Sequence, residues 1–320
     1  MDIPFAQKIT NVNFISYLTR TILFNWNYRG EAKFPCPQPV SIERKDFDKF
    51  KNYDYFVGVK NDGVRYIMFF TTDKNNRNLC ILCDRSLNFY TIDIQGAESI
   101  YDGTLFDGEL VQEGDSYKFI IYDSVLLCGN RVNRDNFASR LSEVDCCVKT
   151  LVSPFKTNLM TIETKTFYKF SDFVNFLDEY DKHPNKDGII FMPNNLPVLN
   201  GTQYSMFKWK PSDKHTVDFL IREEDNRDLS AHVYHQQKLT RFANIKYDTE
   251  QGKDFIDRYH KLENKKTDCI LECLFVKTMQ NFSPILVRMD KNYPNGLRTV
   301  ERTLFNAEED IQLSEFTNLY

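Results

Sequence analysis

The chain has 320 residues, a formal net charge of −4, and apolar and charged fractions of 42% and 27%. That length suits one large domain or two, and the slight acidity excludes a generic polyanion binder, so any nucleic-acid contact must come from a local basic cleft. No apolar run approaches a membrane span, and the N-terminus lacks the basic-then-apolar plan of a secretory signal, so a soluble intracellular protein with reduced cysteines is expected.

Residues 14–24 carry apolar positions at helical spacing and predict an N-terminal helix. Residues 34–39, with three prolines, read as an extended lead-in. Strand-like runs follow at 53–59, 66–71, 79–83, 88–92, 108–111 and 119–125, a density that predicts a largely antiparallel sheet. Between the first two lies Lys60-Asn-Asp-Gly-Val-Arg65, which reads as a tight turn. Gly63 is expected to supply positive φ there and Asp62 to hydrogen-bond the turn backbone, with an amine and a guanidinium on either side. Residues 170–180 predict an amphipathic helix with Ser171 as N-cap. The character changes near Ile221: a charged loop at 222–228, short strands up to Val287, then a helix from Gly296 to about Glu309. A β-rich module of roughly 90 residues suits a small barrel such as an OB-fold.

Cys80 and Cys83 form a Cys-x-x-Cys, but with no second pair or histidines at ligand spacing a zinc site is not supported. All eight cysteines read as structural thiols, and the five scattered histidines form no nucleophile arrangement.

Five further polar blocks follow the Lys60 hexapeptide. Phe106-Asp-Gly-Glu-Leu-Val111 sets Glu109 after a turn, suited to a ribose hydroxyl or a metal-bound water. Phe119-Ile-Ile-Tyr-Asp-Ser-Val125 offers Tyr122 as a stacking face. Lys186-Asp-Gly-Ile-Ile-Phe191 presents Asp187 as a hard oxygen ligand. Met206-Phe-Lys-Trp-Lys-Pro211 puts Lys208 and Lys210 on one strand face, since side chains alternate with period two. Arg288-Met-Asp-Lys291 sets two cations around one carboxylate. Each block alone is an ordinary turn, strand face or ion pair; their order is not ordinary.

That order resembles the covalent nucleotidyltransferase superfamily of lysine-adenylating ligases and lysine-guanylylating mRNA capping enzymes. Within it the chain is most similar to mRNA guanylyltransferases, through Lys60-x-Asp-Gly-x-Arg65, Asp187-Gly-Ile-Ile-Phe191 and Phe207-Lys-Trp-Lys-Pro211 followed by Thr216-Val-Asp-Phe219. The likeness extends to the compact, stand-alone enzymes of large DNA viruses of algae. It implies an α+β fold: an antiparallel-sheet nucleotidyltransferase domain over residues 1–218, with 312–320 packing back on it, and an OB-fold domain over 219–311 with a closing C-terminal helix.

The resemblance also implies roles. The Lys60 amine would attack the α-phosphate of GTP, release pyrophosphate and carry GMP to the 5′-diphosphate end of RNA, forming the GpppN cap. A lysine is ordinarily protonated at neutral pH, and the cations Lys208, Lys210 and Arg288 with a metal would favour the neutral nucleophile. Arg65, Arg85 and Glu109 would contact the ribose, Tyr122 would stack on guanine, and Lys165 would read its O6. Lys208 and Lys210 would hold the α-phosphate. Asp187, with Glu109, would bind Mg²⁺ or Mn²⁺, and Asp218 would serve the metal and the second step. Arg288, Asp290 and Lys291 would reach the β,γ-phosphates on closure of a cleft. RNA triphosphatase and cap methyltransferase activities would come from separate proteins, and the chain would act as a monomer. The competing readings are an ATP-dependent polynucleotide ligase and an RNA-end-binding module without catalysis.

Overall fold

Residues 3–152, 160–224, 229–245, 250, 253, 269–288 and 291–319 are described by the computed structural model of the chain. It divides into two units: Met1–Ser41 with Phe47–Trp209 and the last two residues, and Ile42–Asp46 with Lys210–Asn318. The boundary thus precedes Asp218, expected to end the first domain. Asp218 lies in a strand paired on both sides within the second unit. Residues 312–318 also stay with the second unit, because Glu315 accepts two hydrogen bonds from Arg44 at 2.7 and 2.8 Å.

The first unit holds two sheets. One is built from β1 (Ala6–Lys8), β4 (Val64–Thr72), β5 (Asn78–Cys83), β6 (Phe89–Ile92), β7 (Thr104–Glu113), β8 (Ser116–Leu127), β9 (Asn130–Arg131) and β10 (Met160–Thr164). Its order is β1-β6-β5-β4-β7-β8-β10, with β9 beside β8. The other comprises β2 (Gln38–Ser41), β3 (Tyr55–Asn61), β11 (Tyr168–Lys169), β12 (Lys186–Pro193) and β13 (Thr202–Trp209), in the order β11-β3-β12-β13-β2. Pairing is antiparallel except for β10 with β8 and β13 with β2.

The larger sheet is buried on both faces, as period-two alternation along β4 shows. Tyr66, Met68 and Phe70 enter one core, which includes Val144 of α3 (Phe137–Val148). Ile67 and Phe69 enter the other, with Leu18 and Ile22 of α1 (Val12–Asn25). Under the smaller sheet, Phe50 of α2 (Phe47–Asn52) packs among Tyr55, Phe170 and Phe191 with ring centroids 4.6–5.1 Å apart. Inside the first unit, Arg140 and Asp123, both almost fully buried, form a two-pronged ion pair at 2.8 and 2.9 Å.

The second unit is one five-stranded antiparallel sheet, β16-β15-β14-β17-β18, of β14 (Thr216–Glu223), β15 (Leu229–His235), β16 (Lys238–Ile245), β17 (Cys269–Val276) and β18 (Asn281–Val287). Val217, Phe219 and Ile221 alternate into its core with Val300 and Ala307 of α5 (Leu297–Glu309). A short helix α6 (Leu313–Thr317) follows, opened by a capping box between Gln312 and Glu315. Counted within the unit the order is 3-2-1-4-5. Among the described residues no ladder joins β16 to β18. The charged loop expected at 222–228 starts later, since Arg222 and Glu223 finish β14; residues 225–228 lie outside the described residues.

Two local expectations change. The expected helix at 170–180 is α4 (Phe173–Lys182), preceded by a 3-10 turn over Phe170–Asp172. Its N-cap is therefore Asp172, not Ser171, and it makes no side-chain capping bond. No helix among the described residues is long and apolar enough to cross a membrane. All eight cysteines are free, and burial pushes the thiols of Cys36, Cys80 and Cys273 up, consistent with inert packing.

Candidate functional site

Lys60 and Arg65 are separated by a crossing between sheets rather than by a hairpin. Lys60 is near the end of β3, in the smaller sheet, and Arg65 is near the start of β4, in the larger one. Gly63 does not have positive φ. Its need for glycine is one of space: a Cβ there would sit 2.7 Å from Leu110 O and 2.8 Å from Glu109 Cγ. Asp62 contributes its backbone N–H, which donates to Asn185 O at 3.2 Å.

Strand register assembles the rest. Lys60 is opposite Gly188 of β12, and Ile190 is opposite Lys208 of β13, so Asp187 and Lys208 arrive beside Lys60 from neighbouring strands. Gly188, with φ of 140°, sits at a register shift that only glycine accepts without strain, and Asp187 precedes it. Asp187 Oδ2 accepts from Lys60 Nζ in a partly buried ion pair. In the larger sheet Arg65 is opposite Glu109.

Lys60, Lys208, Arg65 and Glu109 line one pocket of about 150 Å³, and Asp187 reaches it only through its ion pair with Lys60. Lys60, Arg65, Arg85, Glu109, Tyr122, Lys165 and Lys208 all face it, with Phe167, Ile190 and Met206 supplying apolar wall. Burial raises the Glu109 carboxyl, against the pull of Lys60 and Lys165. Lys165 is lowered to about 8, chiefly by burial, and its Nζ donates to Asn61 Oδ1. Burial pushes the Tyr122 phenol well up, so its ring enters the site as a neutral π face. The Arg65 guanidinium lies 5.6 Å from that ring's centroid.

Two residues essential to this geometry were not singled out from sequence. Asp107 is 1% exposed and accepts from Arg65 Nε at 2.9 Å and Nη2 at 2.6 Å, while Pro37 O accepts from Nη1 at 2.8 Å. The guanidinium is thereby fixed with one edge left for a ligand. Asp107 stands two residues before Glu109 on β7, and that period-two spacing was the available signal. Asn61, inside the hexapeptide, anchors Lys165.

Other expected residues lie elsewhere. Lys210 falls beyond the end of β13 and belongs to the second unit, so the alternation that would align it with Lys208 stops at Trp209. Asp218, Arg288 and Lys291 form their own cluster in the second unit. Arg288 Nη1 donates to Asp218 Oδ1 at 3.1 Å and to Glu272 Oε2 at 3.3 Å, and Lys291 Nζ donates to Asp218 Oδ2. Asp290 lies outside the described residues.

The family model described as mRNA capping enzyme, catalytic domain, matches residues 8–212. The mRNA-capping enzyme subunit alpha of Schizosaccharomyces pombe is 26% identical over 321 residues, covering 87% of this chain and 77% of that protein. The mRNA-capping enzyme of Caenorhabditis elegans is 25% identical over 329 residues, covering 92% of this chain and 50% of that one. The Saccharomyces cerevisiae subunit alpha is 29% identical over 221 residues, covering 59% and 48%. The chain therefore spans about half the length of the latter two relatives. Among solved structures, mycobacterial DNA ligase D complexed with ATP and MES is similar at a TM-score of 0.42 and 13% identity, covering 75% of this chain and 90% of that one. At those values the likeness adds nothing to the sequence match. The chain belongs to the mRNA capping enzyme catalytic domain family.

Proposed function

We infer that the chain is an mRNA guanylyltransferase that forms a covalent GMP adduct on Lys60. Lys60 Nζ attacks the α-phosphorus of GTP, an N–P bond forms, and the bond to the β-phosphate breaks to release pyrophosphate. A terminal oxygen of a 5′-diphosphate RNA then attacks the same phosphorus, the N–P bond breaks, and the GpppN end leaves with Lys60 restored. The observation that carries this reading is the pocket itself: Lys60 shares it with Arg65, Arg85, Glu109, Tyr122, Lys165 and Lys208.

Each group has a task that its setting supports. Arg65, Arg85 and Glu109 bind the ribose, Tyr122 stacks on the base, and Lys165 donates to guanine O6. Lys208 neutralises the α-phosphate beside the nucleophile, and Lys60 leaves its ion pair with Asp187 to attack. In the second unit Lys210, Asp218, Arg288, Asp290 and Lys291 are the proposed phosphate and second-step residues.

Mg²⁺ or Mn²⁺ is the proposed cofactor, and the donors fit it. Asp187 and Glu109 are hard carboxylates, and Mg²⁺ commonly takes one or two of these together with waters and substrate phosphates. Among the described residues no group of three His, Cys, Asp or Glu side chains could hold a metal alone, and waters and substrate phosphates would complete the coordination. The bound cation would neutralise charge on the transferring phosphate. The OB-fold reading of the second unit, a monomeric state, and separate triphosphatase and methyltransferase partners belong to the same proposal.

Incubation with α-labelled GTP or ATP and a divalent cation tests it. Acid-labile, alkali-stable label from GTP, absent in Lys60→Ala, is expected; label from ATP alone would replace capping by ligation.

A further inference from the structure

We propose that Asn61 and His183, neither of which lines the pocket around Lys60, are positioning residues for base selection. They hold the Lys165 amine as a pure donor, so that a purine with a 6-oxo group is accepted and one with a 6-amino group is refused. This rests on the guanylyltransferase reading above and names what stands behind the proposed reader of guanine O6.

Lys165 lines two recesses: the pocket around Lys60, and a second of about 110 Å³ whose wall also holds Asn61 and His183. Lys165 is the residue they share. Lys60 and Asn61 are neighbours on β3, so their side chains point to opposite faces, Lys60 to the first recess and Asn61 to the second. The backbone of Lys165 is fixed by its N–H, which donates to Ile121 O at 2.7 Å. The turn that carries His183 is tied to the same end of β3, because Asp62 N donates to Asn185 O at 3.2 Å and Lys186 pairs with Asn61.

Lys165 is 8% exposed and Asn61 2%, so an ammonium here needs an acceptor at hand. Asn61 Oδ1 accepts from Lys165 Nζ. That turns the other end of the amide, Nδ2, toward His183 Nε2 at 3.4 Å, where it is satisfied only by a nitrogen carrying a lone pair. Burial and the nearby Lys165 lower the His183 imidazole, so it is neutral at pH 7 and has one such nitrogen. Asn185 N, 3.3 Å from Nδ1, competes for that lone pair. The tautomer of His183 therefore sets the direction of the amide: a proton on Nε2 would turn Asn61 round and set its NH₂ against the ammonium.

With the donors running from Lys165 to Asn61 to His183, one ammonium N–H is spent on Asn61. The others are left for the pocket, and an ammonium offers no lone pair. A 6-oxo group accepts from it, whereas a 6-amino group sets hydrogens against hydrogens. Such a mismatch rejects the wrong ligand because buried polar groups are left unpaired.

The test compares the full-length wild type with Asn61→Leu, Asn61→Asp, His183→Leu and His183→Gln. Calorimetric binding of GTP, inosine triphosphate and ATP is measured beside the kinetics of lysyl-GMP formation. Asn61→Leu should lower the preference for GTP over ATP about tenfold, through KM rather than through the rate at saturating GTP. His183→Leu should lower it about threefold. Inosine triphosphate, which keeps the 6-oxo group, should lose affinity in step with GTP. His183→Gln, whose side-chain oxygen can take the same N–H, and Asn61→Asp, whose oxygens both accept, should retain the preference. Should Asn61→Leu fail to fold, the two His183 variants decide, since that side chain is half-buried at the end of α4. A preference unchanged by the leucine substitutions, or lost equally in the glutamine and aspartate variants, overturns the proposal. So does a wild type that binds ATP as well as GTP. Failure of the wild type to form lysyl-GMP would instead remove the guanylyltransferase reading, while the binding preferences would still report on Asn61 and His183.

Discussion

Asp187 holds the amine of Lys60 from the strand paired beside it, so the proposed nucleophile is ion-paired to a proposed metal ligand. Removing the carboxylate should therefore harm both charge neutralisation and placement of the amine. Asp187→Asn is expected to lower covalent labelling by about 100-fold, the scale of losing one electrostatic contact in a reacting site. Circular dichroism should be unchanged. Labelling above half of the wild-type rate would show that Asp187 serves the fold alone.

Asp107 is expected to act through Arg65. Arg65 has only 10% of its side chain exposed, and Asp107→Ala leaves that guanidinium buried without its carboxylate. Urea denaturation should show a loss of about 3–5 kcal/mol, with a raised KM for GTP in the folded fraction. Arg65→Lys should raise that KM too, because an ammonium cannot reproduce the fork that grips both carboxylate oxygens. An unaltered KM in both variants would separate Arg65 from nucleotide binding.

The buried pair Arg140–Asp123 makes the opposite case. Arg140→Ala should cost a similar 3–5 kcal/mol or so, read by the same denaturation, because Asp123 is left buried with its charge uncompensated. Neither residue lines the pocket around Lys60, so the KM for GTP should not move below the unfolding temperature. Replacing both by Met and Leu should recover much of the stability. A changed KM would mean that the pair shapes the nucleotide pocket.

Lys165 supplies the pH dependence. Burial lowers its ammonium from 10.5 to about 8, so below pH 8 it is a cation, the form that would donate to guanine O6 in the role proposed for it, and above that value the charge is lost. The KM for GTP should rise between pH 7 and 9, and Lys165→Met should remove that rise along with most of the preference for guanine. The stability effect has the other sign. Between about 8 and 10.5 the unfolded chain binds this proton and the folded one does not, so this residue makes folding more favourable as pH rises through that window. A denaturation series across it, wild type against Lys165→Met, checks the sign.

Gly63→Ala tests the reason for the glycine. The added methyl meets Leu110 O at 2.7 Å and Glu109 Cγ at 2.8 Å, so it must push the turn away from β7. Loss of about 1–3 kcal/mol is expected, as for overpacking, with reduced labelling. A variant with normal stability and labelling would show that the turn can yield.

Much of this site was legible because strand alternation and turn chemistry are local. Arg65, Glu109, Tyr122 and Lys208 lie on strands whose spacing was visible, and they reach one pocket. Sheet membership was not legible, since β3 and β4 are joined by a two-residue turn yet pair with different partners far along the chain. That information resides in ladders such as Lys60 with Gly188, not in the turn. Helix α3 also escaped notice, although Phe137, Leu141 and Val144 fall at helical spacing behind an Asn136 N-cap. Its buried face carries Arg140, which only its partner Asp123 explains. Asp107 was hidden for the same reason, as a buried carboxylate looks like a turn residue until its guanidinium is seen.

The passage from β3 to β4 sets a length as well as a position. Lys60 is pinned by its ladder to Gly188 and Arg65 by its ladder to Glu109, one in each sheet, so the residues between them act as a ruler. Composition within that ruler has some latitude, because Val64 is exposed. Its count has none. One residue more or fewer would force one ladder to slip and offset the proposed nucleophile from the guanidinium proposed to contact the ribose by about 3.3 Å, farther than an in-line attack can absorb. By contrast, the exposed turn between β4 and β5 joins neighbours in one sheet and should accept an insertion without cost to the reaction.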